Sequence, residues 1–242
     1  MLRDYRADLH IHSCLSPCAE LDMTPRKIIK TAIKRGLDII ALTDHNSIEN
    51  VEVAMKLGDD KVHVLAGMEV TSSEEIHILA LFDDIKKAEK MQSLVYDSLP
   101  SEENDERLYG HQVVVNEEDE VLSLNKRLLI GATGMGVEEL VETIHIIGGI
   151  SIASHVDKEA FSVISQLGFI PDDLSFDALE FSYHIKREEA VTRYKGLDRF
   201  PWISFSDAHF LQDIGKRVTV LQMDGTSLEH IKKALRDRRV SW

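Results

Sequence analysis

The chain is poor in cysteine, with only Cys14 and Cys18 in 242 residues. Two thiols cannot build a disulfide framework, and a reducing cytoplasm is the expected compartment. No apolar run reaches the ~18 residues that a membrane-spanning helix needs, so no membrane partner is expected. The stretch 1–10 lacks the apolar centre of a secretory leader. Basic residues are also scarce: 28 Lys and Arg face 42 Asp and Glu, for a net charge of −14. A surface that acidic repels a phosphate backbone, so nucleic acid is not an expected partner, although a metal-loaded cleft can still take a phosphate locally. No internal repeat or low-complexity tract occurs. With 43% hydrophobic and 29% charged residues, the composition is that of an ordinary globular chain.

What the chain has in excess is histidine, eleven in all. His63, His111, His145 and His230 stand apart from other candidate ligands and read as surface residues. The other seven sit beside acids or other histidines, most of them in short apolar-flanked stretches.

Apolar runs at 5–11, 37–42, 62–68, 76–82, 149–153, 178–181, 202–205 and 218–222 have the length and composition of buried strands. Helical patterns lie between them at 48–57, 137–147, 159–167 and 227–238. Another starts at Thr24-Pro25, an N-cap followed by proline at the first helical position, and stops at Gly36. Strand and helix therefore alternate. That order predicts an α/β fold with a parallel sheet, closed or nearly closed into a barrel, with residues 1–242 forming a single domain. Segment 83–125 breaks the rhythm. It reads as a solvated helix, an acidic loop and a hairpin, together an insertion of the kind that decorates or covers a site. Gly131–Gly136 lacks the Gly-Lys-Ser/Thr of a phosphate loop and reads as a helix entry capped by Thr133.

The chemistry-bearing residues cluster at strand ends. The first strand ends in Asp8-Leu9-His10-Ile11-His12, and residues i and i+2 of a strand share a side. Thr43-Asp44-His45, Gly67-Met68-Glu69, Ser154-His155 and Ser206-Asp207-Ala208-His209 end others. In a barrel of parallel strands these ends meet at one mouth. His10, His12, His45, Glu69, His155, Asp207 and His209 would converge there as an imidazole and carboxylate set suited to Zn²⁺, Mn²⁺ or Fe²⁺. Burying so many titratable groups without a shared cation would cost several kcal/mol each, on the order of the whole stability margin.

Taken together, Asp-Leu-His10-x-His12-Ser, Thr-Asp-His45, Gly-Met-Glu69 with His77 behind it, and Ser-Asp207-Ala-His209 resemble the polymerase-and-histidinol-phosphatase (PHP) superfamily from about residue 6 to 222. The resemblance implies a distorted (β/α)7 barrel with the metal site at the C-terminal mouth of its strands. It also implies two to three divalent ions held by His10, His12, a loop residue, His45, Glu69 as a bridging carboxylate, His77, His155, Asp207 and His209. Where many relatives carry Asp or His in the loop, this chain has Pro17, Cys18 and Ala19 followed by Glu20. Glu20 is the expected loop ligand, with Cys18 as the alternative.

The activity so implied is metal-dependent hydrolysis of a small phosphorylated metabolite or nucleotide. Asp207, His209 and Asp44 are the candidate catalytic groups, and Lys158, His184 and Lys186 the candidate phosphate-binding groups, with Arg187 beside them. The bound ions would leave the mouth positive despite the acidic surface. Two rival readings are a 3′–5′ exonuclease-like phosphodiesterase, which the short acidic chain disfavours, and a non-catalytic metal-binding module.

Overall fold

The computed structural model describes residues 1–58 and 60–242. Among them, seven strands form a barrel: β1 (Arg3–Ile11), β2 (Ile39–Leu42), β3 (His63–Thr71), β4 (His77–Phe82), β7 (Ile150–Ala153), β8 (Ala178–Phe181) and β9 (Trp202–Ser204) lie side by side in that order. The chain beyond β9 returns to the end of β1, where His12 N donates to Ala208 O at 3.0 Å and Ala208 N to His10 O at 3.2 Å. Asp8 strengthens this closure, accepting from Ser206 N, Ser206 Oγ and Gly215 N at 3.1, 2.6 and 2.8 Å. Burial pushes the Asp8 carboxyl up to about 6, even though all three donors pull the other way. Strands β10 (Thr219–Met223) and β11 (Val240–Ser241) extend the sheet from the first half of β1.

The barrel departs from all-parallel order at one strand. β4 runs antiparallel to both β3 and β7. Only the five residues Ser72–Ile76 separate β3 from β4, closed by Ser72 N donating to Ile76 O at 2.9 Å. A connection that short can make a hairpin and cannot make a parallel crossover.

Two apolar layers follow from the alternation of strand side chains. Ala7, Leu9, Ile39, Ala41, Leu65, Leu79, Leu81, Ile150, Ile152, Ala178, Ile203 and Phe205 pack inside the barrel. Ile40, Leu42, Ala66, Met68, Ile78, Ala80, Phe82, Leu179 and Phe181 pack outward beneath the helices. That shell includes α1 (Pro25–Lys34), α2 (Val51–Gly58), α3 (Ile85–Ser98), α5 (Val137–Ile147), α6 (Val163–Leu167) and α7 (Arg187–Arg193). The last helix, α8 (Leu228–Arg236), packs Leu228, Ile231, Ala234 and Leu235 onto the inner layer near the start of β1. Among the described residues, no helix is long and apolar enough to cross a membrane.

Several local expectations are revised. Helix α3 is not wholly solvated, because Ala88, Met91 and Val95 face the outer core. Helix α6 begins at Val163 rather than near 159. Phe161 occupies the left-handed region at φ 58°, which a helix interior excludes, and Ser162 and Ser165 form a reciprocal cap. Thr133 does not cap α5. Its hydroxyl donates to Thr71 O at 2.8 Å, and the Glu74 carboxylate takes Val137 N instead, at 3.0 and 3.2 Å.

The rest of segment 83–125 holds the short helix α4 (Glu106–Tyr109) and the hairpin of β5 (Val113–Val115) and β6 (Val121–Leu124). Asn50 ties this hairpin to the loop after β1, donating to Val113 O at 2.9 Å and Ser13 Oγ at 3.0 Å and accepting from Val115 N at 3.1 Å.

Gly67 on β3 marks how tightly the upper barrel is filled. A Cβ there would lie 2.8 Å from Leu81 Cδ2, 2.9 Å from Thr43 Cγ2 and 3.0 Å from Leu42 O. Gly67→Ala is therefore expected to destabilise the fold by about 1–3 kcal/mol through overpacking. Denaturant unfolding checks this, and an unchanged midpoint would show that the layer has slack.

Candidate metal centre

The inner strand faces that are apolar lower in the barrel become polar at its mouth. Ile39 and Ala41 on β2 are followed at the same period by Thr43 and His45. Leu65 and Gly67 on β3 are followed by Glu69, Ala178 on β8 by Glu180, and Ile203 and Phe205 by Asp207. Because β4 is reversed, its inner series Leu81, Leu79, His77 rises to the mouth at its first residue. Strand β1 needs an irregularity to take part. Its pairing with β2 shifts between Asp8 and Ile11, and Leu9 packs inside while Ile11 packs outside. This bulge turns both His10 and His12 inward. His155 and Asp207 adopt the left-handed region at φ 31° and 49°, conformations that non-glycine residues hold only where surroundings enforce them.

Glu69 is the centre of the arrangement. Its Oε1 lies 3.1 Å from His77 Nδ1, 3.3 Å from His10 Nε2 and 3.4 Å from His155 Nε2. Its Oε2 lies 3.4 Å from both His12 Nε2 and His45 Nδ1. Asp207 Oδ1 is 3.4 Å from His10 Nε2 and from His12 Nε2, and 3.6 Å from His209 Nδ1, while its Oδ2 accepts from Lys158 Nζ at 2.5 Å. The rings of His12 and His209 stack at 4.3 Å.

The electrostatics keep Glu69 and Asp207 charged and divide the imidazoles, with His10 and His12 raised and His45, His77 and His209 lowered. Burial alone would raise Glu69, but His77 and His10 hold it well below the usual carboxylate range. Asp207 is likewise held well below it, as His10, His12 and Lys158 outweigh burial. Burial pushes His45 well down, His77 down, and His209 down to about 4. Burial also works against a charged His10, yet Glu180, Glu69 and Asp207 outweigh it and raise that group well above the usual range.

A cation fits this set on structural grounds. His45 Nδ1, His77 Nδ1, His155 Nδ1 and Glu69 Oε1 are buried without a hydrogen-bond partner. His10 Nε2 and His12 Nε2 lie 3.2 Å apart, so at most one of them can carry a proton toward the other. Three groups bring ligand atoms together: His10, His12 and Glu69; His45, Glu69 and His77; and His12, Cys18, His45 and His209. Glu69 belongs to two of them, His12 and His45 to two each.

Other anticipated site residues lie elsewhere. Glu20 is exposed, and only its backbone N reaches the region, donating to His209 O at 3.1 Å. The loop makes consecutive turns, with Ser16 N donating to Ser13 O, Ala19 N to Ser16 O and Met23 N to Glu20 O. These turns carry the Cys18 sulfur into the cluster and leave the Glu20 carboxylate outside it. Asp44 is buried but committed to the same loop. Its Oδ1 accepts from Ser13 N at 2.6 Å and Ser16 Oγ at 2.7 Å, and its Oδ2 from Ser13 Oγ at 2.6 Å. It is a positioning residue for the loop rather than a free acid. Lys158 is at the mouth. His184 is exposed and packs on Tyr183 at 3.9 Å, Lys186 is the exposed N-cap of α7, and Arg187 lies over the Trp242 ring at 5.4 Å.

Sequence reasoning missed Glu180 and Phe161. Glu180 accepts from His10 Nδ1 at 2.9 and 3.1 Å, which fixes the tautomer and leaves Nε2 facing the cluster. The available signal was a lone acid inside the four-residue apolar strand Ala178–Phe181. Phe161 stacks on His77 at 4.5 Å, and no sequence pattern marks its strained backbone. Glu180→Gln should weaken metal affinity by about 10–100-fold without unfolding the barrel. Competition with a chromophoric chelator measures this, and unaltered affinity would remove Glu180 from the ligand support.

Comparison with known proteins places this geometry. Residues 8–167 match the PHP domain family, and residues 199–240 match the PHP-associated family. MJ1587, an uncharacterised protein of Methanocaldococcus jannaschii, is 38% identical over 92 residues, covering 34% of this chain and 54% of its own. A phosphoribosyl 1,2-cyclic phosphate 1,2-diphosphodiesterase of Eggerthella lenta is 31% identical over 80 residues, covering 31% of this chain and 29% of its own. The lesion-specific endonuclease of Pyrococcus furiosus shares the fold at a TM-score of 0.72 with 18% identity, over 97% of this chain and 56% of that one. An endonuclease Q bound to a 27-mer duplex with an abasic lesion at the active site gives 0.74 with 19% identity, over 97% and 57%. A proposed metal-dependent phosphoesterase of Bifidobacterium adolescentis gives 0.65 with 18% identity, over 97% and 96%. The chain thus spans little more than half of the endonucleases, and its matched stretches about half or less of the curated relatives. The endonucleases overturn the exclusion of nucleic acid drawn from net charge: this fold accommodates DNA, and a chain-wide charge does not describe the field at one mouth. With two thirds of its length matching the PHP domain, and with the imidazoles of that match gathered around Glu69 at one barrel mouth, the chain belongs to the PHP family of metal-binding phosphoesterases.

Proposed function

We propose that this chain hydrolyses a phosphoester of a small phosphorylated metabolite or nucleotide, using two to three divalent ions of Zn²⁺, Mn²⁺ or Fe²⁺. The observation that carries the reading is the Glu69 carboxylate, with five imidazoles within 3.1–3.4 Å divided between its two oxygens. His10, His12, His45, Glu69, His77, His155, Asp207 and His209 are the proposed ligands. Divalent ions held there would supply an activated water and neutralise the charge on phosphoryl oxygens.

The chain's own residues do the rest. Glu69 offers Oε1 beside His10, His77 and His155 and Oε2 beside His12 and His45, so both oxygens would be available to hold ions. Asp207 remains ionised and couples them to Lys158, whose ammonium stays charged because Asp207 outweighs its burial. Lys158 is the proposed phosphate contact, since an anionic substrate entering the mouth meets its ammonium beside Asp207. His209, with its pKa pushed down to about 4 by burial, is neutral near pH 7. It serves as a ligand in this reading rather than as the acid for the leaving group. We further propose that residues 1–242 act as one unit, because the stretch 199–240 contributes Asp207 and His209 to a mouth whose other proposed ligands lie within 8–167.

A second reading, cleavage of a phosphodiester in nucleic acid, is favoured by the likeness to a DNA-bound endonuclease across 97% of the chain. Phosphate release from p-nitrophenyl phosphate and nucleoside monophosphates with added Mn²⁺, beside cleavage of an abasic-site duplex, separates the two. The first reading expects turnover of the small esters, abolished by Asp207→Asn and by chelation. Duplex cleavage without monoester turnover would select the second, and inactivity of the metal-loaded protein on both would defeat each. Lys158→Met is expected to raise KM for the small ester by about tenfold or more, the range of a lost charge-assisted contact, with a smaller effect on kcat. An unchanged KM would remove Lys158 from the phosphate contact.

A further inference from the structure

One group of potential ligand atoms differs from the others in kind. The Cys18 sulfur and one ring nitrogen each of His12, His45 and His209 lie within 4.8 Å of one another. The other two groups contain only imidazole and the Glu69 carboxylate. Cys18 does not stand alone there. His45 Nδ1 is buried without a hydrogen-bond partner, and the His45 ring lies 4.8 Å from that of His12 in the same group. The loop that delivers the thiol is also fixed. Ser16 Oγ donates to Asp44 at 2.7 Å, accepts from His45 N at 3.1 Å and lies 3.0 Å from His12 Nδ1. One serine thus locks the turn that carries Cys18 to two of the histidines that share its space. Cys14, the other cysteine, packs with Val113 and Val115 under the insertion hairpin and points away from the cluster.

We infer that Cys18 is a metal ligand of this chain, forming with His12, His45 and His209 a thiolate-bearing position that selects a thiophilic divalent ion such as Zn²⁺. The inference rests on the reading that the mouth holds divalent metals, and it adds that the positions are chemically unequal. Three imidazoles, each neutral once it binds, and one thiolate would make a soft four-ligand set, whereas the positions around Glu69 offer a hard oxygen. Binding replaces the Sγ–H bond with an Sγ–metal bond and releases that proton to solvent. One thiolate against a divalent ion leaves this position positive by one charge. An ion held here would therefore dissociate less readily than those at the carboxylate positions when a hard-ligand chelator is applied.

Cobalt titration of the full chain, stripped of metal by a chelator, tests this without reference to activity. Visible ligand-field bands report occupancy of the mouth, and an intense near-ultraviolet sulfur-to-cobalt charge-transfer band reports the thiolate. The expected result is both bands in the unaltered chain, loss of the near-ultraviolet band alone in Cys18→Ser, and both bands in Cys14→Ala and Glu20→Gln. Visible bands without a charge-transfer band would overturn the role of Cys18 and leave the metal centre standing. A charge-transfer band that survives Cys18→Ser would also overturn it. Absence of every cobalt band would overturn both the inference and the metal reading beneath it.

Discussion

The burial of Glu69 is the constraint on which the rest of this structure depends. A carboxylate enclosed at the mouth of a barrel is sustained only by compensating positive charge, and its neighbours are five imidazoles on four segments of the chain. Protonating all five would place like charges side by side, as the 3.2 Å approach of His10 to His12 makes plain. Leaving them neutral strands buried lone pairs and an ionised acid without a counter-charge. Divalent cations resolve both difficulties, since they bind neutral imidazole and carboxylate at once. Seen this way, the bulge in β1, the reversal of β4 and the left-handed backbones of His155 and Asp207 have a common basis. Each brings a ligand to the same few ångströms.

The supports around that centre are hydrogen-bonded acids that do not face it. Asp8 closes the barrel by holding Ser206, two residues below His10 and one before Asp207. Asp44 holds Ser13 and Ser16, which set the loop that follows His12. Glu180 holds His10 from behind. The net charge of −14 therefore includes four carboxylates, Asp8, Asp44, Glu69 and Glu180, that are buried in the structure of the site and do not act on an approaching ligand from the surface.

Much of this was legible in the sequence because strand periodicity is rigid. Once Leu65 faces inward, so must Gly67 and Glu69, and the same logic carries Ile39 to His45 and Ile203 to Asp207. The direction of β4 is not carried by the run itself, since Ile78–Phe82 reads alike either way; the signal lay in the seven residues between the runs 62–68 and 76–82, too few for a parallel crossover. The bulge in β1 was hidden because His10 and His12 keep their mutual spacing whichever side they face. The course of the loop was hidden for a different reason. Preference for a hard carboxylate pointed to Glu20, while the turns that bring the Cys18 sulfur beside His12, His45 and His209 depend on Asp44, nearly thirty positions away from Ser16. Glu180 was overlooked because four residues of strand are too few to make one acid conspicuous.

The most direct test of the account is elemental analysis of metal-reconstituted protein, comparing the unaltered chain with Glu69→Gln. If the two carboxylate oxygens each serve a different group of imidazoles, the unaltered chain binds two to three ions and the substitution removes more than one of them together. Less than one ion per unaltered chain, or undiminished content in Glu69→Gln, would contradict the claim that this buried acid organises the metal centre.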